Sequence, residues 1–129
     1  MSERAHRHLK WLTLAYASTL MLLVAVADRG ALAVSYLSML PAADKIGHFL
    51  LMGFLSYLTN TALGGQRLCW KPLSVLKGSA LVGVFVTAEE LSQLWMTHRS
   101  FELADLAADA AGIWIFGRIS LAVNAQSAP

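Results

Sequence analysis

The chain has a single cysteine, Cys69. That excludes an intrachain disulfide and a CxxC redox motif, leaves no thiol metal site, and makes Cys69, next to Trp70, an apolar filler. Period-two alternation of apolar and polar residues is missing, and the apolar runs are too long for strands, so none of them reads as β. No internal repeat, low-complexity tract or second domain is visible in the 129 residues, which fit one domain over 1–129. An HExxH or equivalent helical ligand motif is absent, so spacing alone gives little support for a metal. Ser92 and Ser100 offer hydroxyls, but neither has a recognisable triad setting and no nucleophile is indicated.

What the chain has is apolar length. Hydrophobic residues make up 57% of it and its mean hydropathy is +0.55, too apolar for a soluble domain of this size. A membrane span needs roughly 20 apolar residues at about 1.5 Å each. Four stretches qualify, so the expected fold is all-α, an integral membrane protein with four transmembrane helices. They run from Trp11 to Ala27, from about Ile46 to Leu63, from about Leu73 to Trp95 and from about Leu103 to Val123. Pro72 is placed to open the third as a first-turn proline. Ala31 to Leu40 is apolar but only ten residues long, and reads as an interfacial or re-entrant piece. The basic start, apolar run and Ala25-Val26-Ala27 also resemble a cleavable signal peptide; against this, the 17-residue run exceeds the usual core of about 7 to 15.

Orientation follows from the cations. Arg4, Arg7, Lys10, Arg67, Lys71, Lys77 and Arg118 fall on one side of such a bundle, and only Arg29, Lys45 and Arg99 on the other. The positive-inside rule therefore puts both termini and the second loop in the cytoplasm. Trp11 and Trp70 then mark the inner interface and Trp95 the outer one, while Trp114 lies mid-span and does not fit an aromatic belt. The basic leader is explained by topology and by anionic inner-leaflet lipid, and nothing points to nucleic acid. Localisation to a membrane, crossed in several passes, is expected.

The acids take the opposite side. Of the eight acidic residues, Asp28, Asp44, Glu89, Glu90, Glu102, Asp105 and Asp109 face outward in this topology, and ionisable groups in or beside spans are functional candidates by default. Asp44, Lys45 and His48 stand at i, i+1, i+4, as do Glu89, Glu90 and Gln93, so each trio forms one helical patch. His98, Arg99 and Ser100 precede Asp105 and Asp109, which share a helix face with Gly112. Ala104 and Ala108 join Gly112 in a small-residue stripe that permits close helix approach. Asp44, Glu102 and Asp105 suit helix N-termini, whereas Glu89 and Glu90 sit near a helix C-terminus, where negative charge is disfavoured and needs a cation, a proton or a partner. His48 titrates near ambient pH, which allows acid or base work. With Glu90, Asp105 and Asp109 it forms a donor set for zinc, manganese or iron.

These residues resemble the VanZ-like family over about Ala43 to Gly117. The resemblance rests on Asp44-Lys45-Ile46-Gly47-His48-Phe49, Glu89-Glu90-Leu91-Ser92-Gln93, Arg99-Ser100-Phe101, and Asp105 followed by Asp109-Ala110-Ala111-Gly112. The family pattern is similar to D-K-x-x-H, E-x-x-Q, R-[ST] and D-x-x-x-N-x-x-G; Asp109 stands where many members carry asparagine, adding a potential charge. The resemblance implies a small helical inner-membrane protein of the bacterial envelope, in a family whose founding member is associated with resistance to teicoplanin-type glycopeptides. It does not assign a reaction.

Three functions follow from the pattern. As an enzyme on an envelope lipid or lipid-linked headgroup, the chain would use His48 as base, Glu90 or Asp105 as acid or metal ligand, and Arg99 as an anion clamp beside Lys45, Gln93 and Asp109. As a binding or accessory protein, it would hold a cationic or phosphate-bearing envelope ligand, a glycopeptide-related ligand or a partner protein on the same cluster, or keep that cluster as a salt-bridge network tying helix ends, with Asp44 and Gly112 structural. Ion-coupled transport ranks last, because four spans are few and no inverted repeat is visible. No cofactor is required beyond a possible divalent metal, and oligomeric state is not encoded in any feature of the chain.

Overall fold

A computed structural model of the chain describes residues 3–28, 39–97 and 101–126. It is all-helical apart from one small hairpin. The elements are α1 (Glu3–Asp28), α2 (Pro41–Ala62), β1 (Arg67–Trp70), β2 (Leu73–Leu76), α3 (Lys77–Ser92), a 3-10 turn (Gln93–Trp95) and α4 (Leu103–Gln126). Of these, α1 over Glu3–Val26 and α4 are long and apolar enough to cross a membrane.

The second and fourth expected stretches match their helices to within five residues, and the first lies inside α1, which begins eight residues earlier at Glu3. The third does not match: Leu73–Leu76 pairs antiparallel with Arg67–Trp70, and the helix begins only at Lys77. Pro72 accordingly occupies the hairpin turn with Lys71 rather than a helix start. The chain is forced into this excursion by the end of α2. Gly64 and Gly65 both take left-handed backbone angles (φ 62° and 70°), and Gly65 N–H donates to the Asn60 carbonyl at 2.9 Å, closing the helix with a glycine cap that side-chain-bearing residues adopt poorly. Pro41, not Pro72, is the proline in a first helical turn. Most of the short interfacial piece expected at Ala31 to Leu40 lies outside the described residues.

α2 is the hub, packed against α1, α3 and α4. Its junction with α4 is unusually close because both helices present glycine. A Cβ on Gly112 would meet the Phe49 carbonyl oxygen at 2.1 Å, and one on Gly53 would meet the Phe116 ring at 2.6 Å. The expected alanine stripe plays little part here: Ala104 is exposed and Ala108 half-buried. The apolar core, built from Leu20, Met52, Leu55, Val82, Val86 and Ile113, joins all four helices. On α1, Tyr16 donates its hydroxyl to the Leu51 carbonyl at 3.1 Å and packs edge-on against Phe54.

Burial is inverted relative to an ordinary soluble domain. Leu12, Leu22, Leu81, Val84, Leu103 and Trp114 are all more than half exposed, while Ser56, Asn60, Glu90, Asp109 and Ser120 are almost fully enclosed. An exposed apolar shell of this extent calls for a nonaqueous or protein neighbour.

Candidate functional site

The glycine crossing sets the geometry of the polar end. Phe49 touches Gly112, so the residues within two turns toward each N-terminus, Lys45 and His48 on α2 and Asp105 and Asp109 on α4, face one another across the junction. The C-terminal end of α3 supplies Glu90 to the same place: one ligand atom each from His48, Glu90 and Asp109 lie within 4.8 Å of one another. Five of the residues singled out from sequence thus come together at one end of the bundle.

The cluster has two halves with different electrostatics. In the first, Lys45 Nζ is held by Asp105, by Glu102 Oε2 at 2.6 Å and by Asp44 Oδ2 at 3.3 Å. The ammonium is kept well above the usual lysine range, first by its hydrogen bond to Asp105 and next by that to Glu102. It is therefore a permanent cation, one whose charge is already shared by three carboxylates. Asp44 and Asp105 lie in the first turns of α2 and α4, where the helix dipole also favours them.

The second half lacks such compensation. His48 Nδ1 stands 3.1 and 3.2 Å from the two oxygens of Asp109, which is 1% exposed. An ionised carboxylate only accepts, so Nδ1 is the donor in this pair, and when the imidazole is neutral Nε2 is its basic nitrogen. Nε2 is 3.9 Å from Asp105 Oδ2. Glu90 is fully buried, and no hydrogen-bond donor among the described residues reaches either of its oxygens. It also sits near the C-terminal end of α3, where the helix dipole opposes a negative charge.

Two donor sets have the arrangement of a cation site: Asp44, His48 and Asp105, and His48, Glu90 and Asp109. The first is poorly suited to a metal, because its Asp105 is bound to the Lys45 ammonium. In the second, Asp109 is partnered by His48 alone and Glu90 by no donor among the described residues.

The other sequence-derived candidates fall differently. Gln93 is 2% exposed and donates Nε2 to Glu89 Oε1 at 2.8 Å, so it is a buried partner of Glu89. Ser92 donates to the Glu89 carbonyl of its own helix at 2.6 Å, a local bond that occupies its proton. Arg99, with His98 and Ser100, lies outside the described residues. Gly112 lies at the closest approach of α2 and α4.

One polar group was not anticipated at all. Asn60 Nδ2 donates to Ser79 Oγ at 2.8 Å and to Ser56 Oγ at 3.2 Å, and Asn60 Oδ1 accepts from the Ser79 backbone N–H at 3.1 Å. Leu76, before the first residue of α3, has no side-chain acceptor, so Asn60 of α2 caps α3 from across the bundle. The signal was present as polar residues inside an apolar run, at spacing four in Ser56 and Asn60, but their partner on another helix was not legible. A separate groove of about 400 Å³ between α3 and α4, lined by Arg67, Val86, Ile113, Trp114 and Arg118 among others, contains none of the clustered acids or His48.

Comparison of the chain with protein-family models, curated proteins and solved structures found no match.

Proposed function

We propose that the chain is a VanZ-like, four-span protein of the bacterial inner membrane, with both termini inside, whose outward polar cluster binds or acts on the headgroup of an envelope lipid or lipid-linked precursor. The observation that carries this reading is the pairing of His48 and Asp109 beside the uncompensated Glu90, inside a bundle whose outer surface is apolar. Carboxylates are costly in such surroundings and are kept where they meet a ligand, a proton or an ion.

Four spans are compatible with the element lengths. Helix α2, at 22 residues, extends about 33 Å, and α3, at 16 residues, about 24 Å, to which its 3-10 turn adds about 6 Å. These reach the thickness of about 30 Å that a bilayer core requires. In this orientation the hairpin, with Arg67, Trp70 and Lys71, lies at the inner surface, and the cluster lies near the outer headgroups, where a lipid-linked substrate presents its polar end. His48 Nε2 serves as base and Glu90 as acid or ligand.

A structural network is the second reading, and one observation favours it for part of the cluster. Lys45 links Asp44 to Glu102 and Asp105, and so clamps α2 to α4. That accounts for the Lys45 half but leaves Glu90 without a role.

The test is lipid and lipid-linked precursor profiling by mass spectrometry in cells expressing wild type, His48→Ala or Glu90→Gln at matched membrane levels. A species changed by wild type alone supports chemistry at the cluster, and its structure names the reaction. Identical profiles in all three leave the binding or structural reading. Susceptibility to teicoplanin-type glycopeptides in the same strains is the physiological readout.

A further inference from the structure

We propose that His48, Glu90 and Asp109 form a binding site for one divalent transition-metal ion of the zinc or manganese type. The inference uses the cluster on which the proposed function rests, but does not depend on which lipid, if any, that cluster takes.

Three observations converge. The first is geometry: ligand atoms of the three side chains lie within 4.8 Å of one another, contributed by three different helices. Two ligands about 2.1 Å from a common ion, at angles of 90° to 110°, stand about 3.0 to 3.4 Å apart; His48 Nδ1 and Asp109 Oδ1, at 3.1 Å, already have that separation, and a bound ion would take the place of the proton between them, the imidazole keeping its one N–H on Nε2. The second is an unanswered polar group. Glu90 is fully buried, and among the described residues neither of its oxygens has a donor, although they face an imidazole and a second carboxylate. The third is charge. The Lys45 ammonium is occupied by Asp44, Glu102 and Asp105, so its charge is not available to Glu90 and Asp109. Two carboxylates with a neutral imidazole carry the charge that a dication neutralises.

The donor chemistry narrows the ion. One nitrogen and two carboxylate oxygens suit zinc and manganese, whereas calcium takes six to eight oxygens and magnesium keeps most of its waters. Three protein ligands also leave at least one coordination position open, as in catalytic metal sites and unlike closed structural ones. The rival source of positive charge is Arg99, and the experiment must separate the two.

The full chain is purified in detergent, stripped with chelator and dialysed against Zn²⁺ or Mn²⁺ alone. Bound metal is counted by mass spectrometry, and thermal unfolding is followed with and without ion. The expected result is about one ion per chain and a higher melting temperature when loaded. Glu90→Gln and Asp109→Asn each weaken binding by more than about tenfold, as loss of a ligand should. Glu102→Gln, which removes the same unit of charge from the exposed edge, leaves stoichiometry unchanged. The proposal is overturned if the wild type binds no ion, a measurement that needs no variant to fold. It is equally overturned if Glu90→Gln and Glu102→Gln weaken binding alike, which would indicate diffuse attraction to acids. An Arg99→Ala chain that binds one ion where wild type binds none assigns the compensating charge to Arg99 and also overturns it. A loaded site with unchanged envelope lipids would sustain this inference while removing chemistry on those lipids.

Discussion

At the residue scale, Lys45 shows how one cation can decide the role of its neighbours. By taking Asp105, Glu102 and Asp44 it turns those acids into a clamp between α2 and α4. Replacing it with methionine leaves the buried Asp105 without its cation. The cost should be about 2 kcal/mol, between the values for exposed pairs and for fully buried ones, since the lysine side chain is 28% exposed. The pH dependence has a definite sign. The folded-state pKa lies above the unfolded one, so this contribution is fully present below about pH 10.4 and is lost only as pH rises through the raised folded value. The difference in melting temperature between wild type and Lys45→Met should therefore be constant from pH 7 to 9; a difference that shrinks across that window would show that the ammonium is not held as described.

At the scale of elements, the decisive feature is the absence of side chains at one crossing. Gly112 lies so close to the Phe49 carbonyl that any Cβ requires backbone to move, and the site residues are near in sequence to this contact: His48 precedes Phe49, and Asp109 lies three residues before Gly112. Gly112→Val should destabilise the bundle by about 1 to 3 kcal/mol or more. By separating α2 from α4, it should also abolish function through the His48–Asp109 pair while leaving both residues in place. Gly47→Ala is the matched control, because a Cβ there meets nothing within 4 Å; it should be neutral or gain up to about 1 kcal/mol of helix propensity. Equal losses in the two variants, measured by thermal unfolding in detergent, would mean that the close approach does not hold the site together. The same logic explains α3. Its start is positioned by Asn60 from another helix, over Gly78, whose hydrogen leaves room for the Asn60 side chain.

At the scale of the whole molecule, the two ends of the bundle have opposite character, and this can be read chemically. The single cysteine, Cys69, is exposed in β1 at the hairpin end, and Thr97 is exposed beyond the 3-10 turn toward the cluster end. In intact cells, a membrane-impermeant thiol reagent should leave wild-type Cys69 unlabelled until the membrane is opened. It should label Thr97→Cys, in a chain whose Cys69 is replaced by serine, without opening. The reverse pattern would put the cluster in the cytoplasm and remove the outward headgroup from consideration; labelling of both positions from outside would count against a spanning bundle.

The sequence by itself determined the helical class, the approximate position of each long helix and the segregation of acids from bases, because these are local: they follow from apolar run length, from hydrogen bonding within a helix and from charge order along the chain. It also singled out Lys45, His48, Glu90, Asp105 and Asp109, since charge within apolar sequence is conspicuous without any fold. It did not reveal the β1–β2 hairpin, because four-residue strands carry no usable period and Leu73–Leu76 looks like the continuation of an apolar span. Only the tertiary structure decided which partner each charged group has. Lys45 could pair with any acid at that end; the Gly53–Gly112 crossing brings it to Asp105 and leaves Glu90 facing His48 and Asp109. That choice depends on ångström-scale distances between helices, and those are set by packing across the bundle, not by spacing along it.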